Sequence, residues 1–160
     1  ALTGDVILPQ SHEGGVLETF LAQTELSLSA ASIKTFTVAA MKSPDLFSFL
    51  VEALAHNGAV IAQHLANVGR RGALERTAYL LLELTARLQR VGSVTDNSFE
   101  CPLTQYDLAD ALGLTPIHVN RMLRELRERK FLEFRQGHVR LLDHAGLMKF
   151  AGFDGDYIES

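Results

Sequence analysis

Apolar and polar positions change their period along this chain, and each change marks a different kind of element. Near the start the period is two. Leu26, Leu28 and Ala30 alternate with Ser27 and Ser29, and Phe36 and Val38 alternate with Thr35 and Thr37. This is the pattern of half-buried strands, with Gly4-Asp5, Pro9 and Gly14-Gly15 as turns. Two or three such strands do not hold a sheet by themselves. Residues 1–42 are therefore expected to be the tail of a larger β domain whose front was truncated or lost to proteolysis.

From Ser43-Pro44-Asp45 the period becomes helical, with Pro in the first turn. Leu46, Leu50, Leu54, Ile61, Leu65 and Val68 recur at intervals of three, four or seven, one apolar stripe along the helix. Ala55, Gly58, Ala59, Ala62 and Ala66 allow close approach of a neighbour. A stripe this long exceeds what a small monomer covers, so a partner helix is expected on it. Leu50, Leu54, Gly58, Ile61, Leu65 and Val68 are the candidate dimer interface. Gly69 and Gly72 bracket Arg70-Arg71 and break the run. A second helix, 73–90, should bury Leu74, Ala78, Leu81, Leu82 and Leu88. It ends at Val91-Gly92-Ser93, and a polar loop runs through Ser98.

The next stretch carries the functional signal. Thr104 caps a helix that runs through Leu112, with Leu108, Ala111 and Leu112 apolar. Gly113 ends it in a left-handed turn and Leu114 plugs the corner. Thr115 caps the following helix and Pro116 takes its first position. Val119, Met122, Leu123 and Leu126 face inward. Two helices joined by a short Gly-containing turn form a helix-turn-helix. Ala109, four residues before Gly113, is small where the second helix must cross. The outward face of that helix holds Ile117, His118, Asn120, Arg121 and Arg124, a set suited to a DNA major groove. Residues 131–135, Gln136-Gly137 and 138–142 then read as a hairpin wing, with Arg135, His138 and Arg140 for phosphates. A short helix from about His144 to Ala151 follows.

Charge sharpens this picture. The net charge is −4, which alone argues against nucleic acid. Residues 1–69 hold Lys34 and Lys42 against six carboxylates, whereas 115–140 hold seven Arg and Lys against Glu125, Glu128 and Glu133. A basic patch on an acidic protein binds phosphate locally. A single cysteine, Cys101, excludes an internal disulfide and any four-cysteine metal site. The apolar runs fall short of the roughly 18 residues of a membrane span, so no membrane partner is expected. The start has no signal-like segment, and a cytoplasmic location fits.

The run Leu103-Thr104-Gln105-Tyr106-Asp107-Leu108-Ala109-Asp110-Ala111-Leu112-Gly113-Leu114-Thr115, continuing through His118-Val119-Asn120-Arg121, resembles the cyclic-AMP receptor protein and fumarate–nitrate regulator (Crp/Fnr) family. It is most similar to the type common in α-proteobacteria. The closing Ala151-Gly152-Phe153-Asp154 resembles that subgroup's tail, and Gly4-Asp5 resembles a turn midway through the family's β-roll. The resemblance is strong from about residue 70 onward and weak before residue 40. It implies an α+β fold with a partial, cyclic-nucleotide-binding-like β-roll sensor over 1–42, a dimerisation helix over 43–72 and a winged helix-turn-helix domain over 73–160. By resemblance, Pro116, Ile117, Asn120 and Arg121 fall where the family contacts bases, and Thr104 and Gln105 where it touches phosphate. Ile117 replaces an acidic residue of many members, and Pro116 an arginine of some, so the usual half-sites cannot be assumed.

Cyclic AMP is not the expected effector. Residues 1–69 contain no Arg, and a buried cyclic phosphate needs its bidentate partner. Glu13 or Glu18 could imitate a ribose ligand, yet a lone Glu near a Gly pair is more often a loop residue. His56 and His64 lie eight apart on the long helix. Haem or metal would need at least three ligands, so polar-face histidines are the simpler reading. Cys101 precedes Pro102 with no basic neighbour in sequence, which favours a structural thiol.

The expected function is a homodimeric, sequence-specific DNA-binding transcription regulator. Its partners would be a palindromic duplex operator, RNA polymerase and an unidentified small-molecule effector. The alternative is a protein–protein module or anti-regulator that heterodimerises with a DNA-binding partner. No cofactor and no metal are expected, and no nucleophile–base pair, metal cluster or phosphate loop marks an enzyme.

Overall fold

The computed structural model describes residues 29–159, together with Ser11, His12, Gly15, Val16, Glu25 and Ser27. The turn assigned to Gly4-Asp5, the alternation at Leu26 and Leu28, and Glu13 and Glu18 lie outside the described residues. The fold class is α+β. The chain divides into two compact units, residues 1–58 and 59–160.

In the first unit, β1 (Ser11–His12) pairs antiparallel with β2 (Gly15–Val16). Where Phe36 and Val38 were expected in a strand, the chain forms helix α1, Ile33–Ala40. The alternation at 35–38 covers only two repeats, too few to fix a period. Ile33, Phe36 and Ala40 share one helical face, and Ala40 is buried. Ser32 decides the outcome locally, because its hydroxyl accepts the Thr35 N–H at 3.1 Å as an N-cap. The Thr37 hydroxyl returns to the Ile33 carbonyl at 2.8 Å. Helix α2, Pro44–Arg70, begins in this unit.

Helix α2 corrects a second expectation. It is 27 residues long, with an 18-residue window of mean hydropathy 1.2, so length and composition alone would let it cross a membrane. Its polar groups argue for protein packing instead. Asn67 is buried, and His64 is bonded to a buried carboxylate of the next helix.

The second unit is built on helix α3, Ala73–Arg90, which buries Ala78, Tyr79, Leu81 and Leu82. Leu81 and Leu82 each contribute about 1.5–3 kcal/mol through burial. Helices α4 (Gln105–Leu112), α5 (Pro116–Glu128), α6 (His144–Ala151) and α7 (Asp156–Glu159) all pack against α3. Three antiparallel strands close one end: β3 (Ser98–Glu100), β4 (Leu132–Arg135) and β5 (His138–Leu141), in the order β3-β5-β4. The expected polar loop gives way at Ser98 to strand β3, which the sequence pattern did not signal. Asp96 and Asn97 take positive φ of 50° and 57°, and Phe99 pairs with Val139. Helix α7 was also unforeseen.

Arg71 fastens the end of α2 to the chain's C-terminal part. Its Nε donates to the Ala151 carbonyl at 3.0 Å and its Nη2 to Gly152 at 2.9 Å. Nη1 donates to the Asn67 side chain, and the guanidinium lies 4.4 Å from the Tyr79 ring centroid.

Candidate nucleic-acid interface

Sequence places an N-cap at the start of each of the two helices. In α4, Thr104 accepts the Asp107 N–H at 3.2 Å, and Asp107 accepts the Thr104 N–H at 2.7 Å. This reciprocal box satisfies two donors that the helix leaves open. Gly113 closes α4 at φ +61°, a conformation that other residues adopt only with strain. Leu114 N–H returns to the Ala109 carbonyl at 2.9 Å. Thr115 then accepts the His118 N–H at 3.3 Å, with Pro116 opening α5.

Packing fixes the crossing. Ala109 is 2% exposed and Val119 0%, so the two helices meet with no room for a larger side chain at 109. Met122, Leu123 and Leu126 complete the buried face of α5. That burial forces the opposite face outward. Ile117 and Arg121, and Asn120 and Arg124, lie four residues apart on this face, and all four are exposed. Pro116 and His118 are half-buried beside them, and Thr115 and Gln105 are exposed.

Polar contacts pre-set several of these groups. Arg121 Nη2 donates to His118 Nε2 at 2.9 Å. A guanidinium only donates, so this contact requires His118 with an unprotonated Nε2. Arg124 pairs with Glu128 at 2.8 Å and Arg129 with Glu125 at 2.5 Å. Both pairs are solvent-exposed and contribute little, so Arg124 can exchange its carboxylate for another anion. The Thr104 hydroxyl also donates to Asp107 at 2.6 Å. A phosphate contact by this side chain therefore competes with its own cap.

The wing has the expected turn. Gln136 and Gly137 have φ of 51° and 75°, the two positive values that a tight two-residue hairpin turn demands. Strand register puts Leu132, Phe134, Val139 and Leu141 on the inner side. Glu133 opposite Arg140, and Arg135 opposite His138, lie on the outer one. Arg135, His138 and Arg140 are exposed there. His138 Nε2 lies 3.6 Å from Glu100 on the adjoining strand.

The remaining candidates separate. Leu54, Ile61, Leu65 and Val68 are 51%, 64%, 73% and 55% exposed on α2, Gly58 is exposed and Leu50 is half-buried. Cys101 is 3% exposed, and burial pushes its thiol above the ordinary cysteine value, as suits a structural residue. Among the described residues no three His, Cys, Asp or Glu side chains converge on a common point.

One group escaped the sequence reading. Glu83 of α3 is 1% exposed and receives His64 at 3.0 Å, the Tyr157 hydroxyl at 3.0 Å and Arg87 at 3.4 Å. Burial raises the Glu83 pKa, but the hydrogen bond and charge of His64, the Tyr157 hydroxyl and Arg87 outweigh it and hold the carboxyl below its ordinary value. The bond to Glu83 raises His64 above its ordinary value, with burial opposing. Arg87, four residues on, is its one local partner; His64 and Tyr157, 19 and 74 residues away in the chain, left no signal in the sequence.

Comparison with known proteins agrees with this geometry. The profile of the Crp-like helix-turn-helix domain matches residues 75–150. The transcriptional activator protein FnrL of Cereibacter sphaeroides is 30% identical over 84% of this chain and 56% of its own length. The nitrogen fixation regulation protein FixK of Rhizobium meliloti is 38% identical over 54% of the chain and 39% of its own length. The chain thus spans about half, or less, of these relatives. The solved structure of FixK2 from Bradyrhizobium japonicum superposes with a TM-score of 0.64 at 25% identity, over 73% of this chain and 57% of that one. Residues 75–150 are a Crp-like helix-turn-helix domain, the DNA-binding domain type of Crp/Fnr regulators.

Proposed function

We propose that this chain is the helix-turn-helix part of a homodimeric transcription regulator that binds a palindromic DNA operator. The observation that carries the reading is the exposed row Ile117, Asn120, Arg121 and Arg124 on α5, beside the basic outer face of the wing. Helix α5 would enter the major groove, with Pro116, Ile117, Asn120 and Arg121 at base edges. Arg121, steadied by His118, can donate two bonds to a guanine. Gln105, Thr115, Arg124, Arg135, His138 and Arg140 would meet phosphates, and Thr104 would do so when its cap opens.

The bare stripe of Leu54, Ile61, Leu65 and Val68, with Leu50 and Gly58, supports pairing with the same helix of a second copy. Dimer heads on α2 would meet half-sites about one helical turn apart. In this proposal residues 1–42 belong to a sensor domain, 43–72 to the dimerisation helix and 73–160 to the DNA-binding domain. An effector other than cyclic AMP would bias the placement of the heads, RNA polymerase would be recruited or blocked, and the protein would act in the cytoplasm.

Selection of bound duplexes from a random library tests the proposal, run over a salt series with Arg121→Ala as control. A palindrome with half-sites about 10 base pairs apart, lost in the variant, is the expected result. No enrichment at low salt from a folded dimer would overturn it and favour the heterodimerising protein-interaction module.

A further inference from the structure

The large apolar side chain most exposed among the described residues sits where bases would be read. Ile117 is 85% exposed, above Met41 at 80%, Leu65 and Tyr106 at 73% and Val68 at 55%. It occupies the first turn of α5, directly after Pro116 at the N-terminus, and Arg121 lies one turn further along the same face. Nothing in the fold requires an isoleucine there. It covers no core position, and the inward face of α5 is already completed by Val119, Met122, Leu123 and Leu126.

We infer that Ile117 is a specificity-determining residue that selects a T·A base pair through the 5-methyl group of thymine; this rests on the reading of α5 as a major-groove helix. Isoleucine has no donor or acceptor to offer a base edge. The thymine methyl is the apolar feature that the major-groove floor presents. Contact between the two removes both from water. A cytosine at the same place would present its N4 amine to an apolar surface and leave that donor unpaired, which is unfavourable. Ile117 therefore attracts thymine and disfavours cytosine.

The neighbouring polar pair completes a two-part code. His118 Nε2 accepts from Arg121 Nη2 at 2.9 Å, which restrains the guanidinium before it meets DNA and leaves its other N–H groups for a guanine. One helical turn rises about 5.4 Å, between one and two base-pair steps. Ile117 and Arg121 would thus read a thymine and a guanine on adjacent or next-but-one base pairs of each half-site.

The test uses the full-length protein and the duplex enriched from a random library. Each thymine of the half-site is replaced in turn by deoxyuridine, which removes only the methyl group. At one symmetry-related pair of positions, wild type should lose affinity roughly fourfold per methyl, the ratio expected for one buried methyl-sized group. Ile117→Ala should bind thymine and deoxyuridine duplexes equally at that position and keep its preference for the Arg121 guanine. Ile117 is exposed, so the variant should fold as wild type does. A second variant, Ile117→Glu, should shift the selected base there to cytosine, whose N4 amine a carboxylate accepts. An enriched site whose affinity is unchanged by deoxyuridine at every thymine overturns the assignment and leaves the regulator reading intact. No enriched site at all overturns that reading, and this one with it.

Discussion

His64 Nε2, on the half-exposed flank of α2, lies 3.0 Å from Oε2 of Glu83, a carboxylate that α3 buries to 1% exposure. The ring N–H donates, the carboxylate accepts, and the Tyr157 hydroxyl donates to the same oxygen at 3.0 Å. Three elements therefore meet at one charge. His64 is raised above 6.5 by its bond to Glu83, so its contribution to stability is complete below that pH and is lost as pH rises through the raised value. Glu83, against the pull of burial, is held below 4.5, so its contribution is present above that pH and is lost as pH falls through the lowered value. Thermal melting followed against pH should show both losses, one alkaline to 6.5 and one acid to 4.5. In Glu83→Gln both should disappear. Identical pH profiles for variant and wild type would refute the pairing.

His64→Leu removes one donor and leaves the buried carboxylate to Tyr157 and Arg87. A hydrogen bond to a charged group contributes about 1.5–3 kcal/mol when buried, and the half-exposure of His64 brings the expected loss to about 1 kcal/mol. Chemical denaturation measures it.

The two helices of the DNA-binding unit should fail in different ways. Ala109→Leu puts three extra carbons at a 2% exposed crossing and should cost about 1–3 kcal/mol through overpacking. Gly113→Ala meets no atom within 4 Å, but its φ is +61°. It should cost about 1 kcal/mol through backbone strain alone. Equal denaturation midpoints for Ala109→Leu and wild type would show that the crossing is looser than described.

The residues proposed to read bases and those proposed to meet phosphates should separate by salt and sequence. Arg121→Ala should lose about 1–3 kcal/mol on the selected duplex and relax preference at one base pair per half-site. Arg124→Ala should weaken binding alike on every sequence and lower the salt slope by about one per head. Its loss of the Glu128 pair should move stability by no more than about 0.5 kcal/mol. Titrations of fluorescent duplexes at several salt concentrations resolve the two patterns.

Leu65 is 73% exposed in the single chain, so Leu65→Glu should leave thermal stability of the 59–160 unit unchanged at low concentration. In sedimentation it should raise the dimer dissociation constant by about thirtyfold or more, as for a central interface residue of roughly 2 kcal/mol. An unchanged sedimentation profile would remove this face from the interface.

The wing and helix-turn-helix were legible because their signals are local. Thr104, Gly113, Thr115 and Pro116 act on backbone within four residues, and the inward positions of α5 follow from its period. The strand reading of Phe36 and Val38 failed because Ser32 offers a helix cap to a pattern too short to fix a period. Strand β3 escaped because its one apolar residue, Phe99, is ordered by Val139, 40 positions on.

By itself, then, the sequence determined the elements of residues 44–151 that carry their own caps, breaks and periodicity, and with them the row of groups on α5. Tertiary structure alone decided where the long-range polar partners went. Arg71 finds the carbonyls of Ala151 and Gly152, and Glu83 finds His64 and Tyr157. The physical reason is the reach of each interaction. Caps and periodicity act within a few residues of chain, whereas a buried charge or a guanidinium takes whichever partner the packed helices bring within hydrogen-bonding distance.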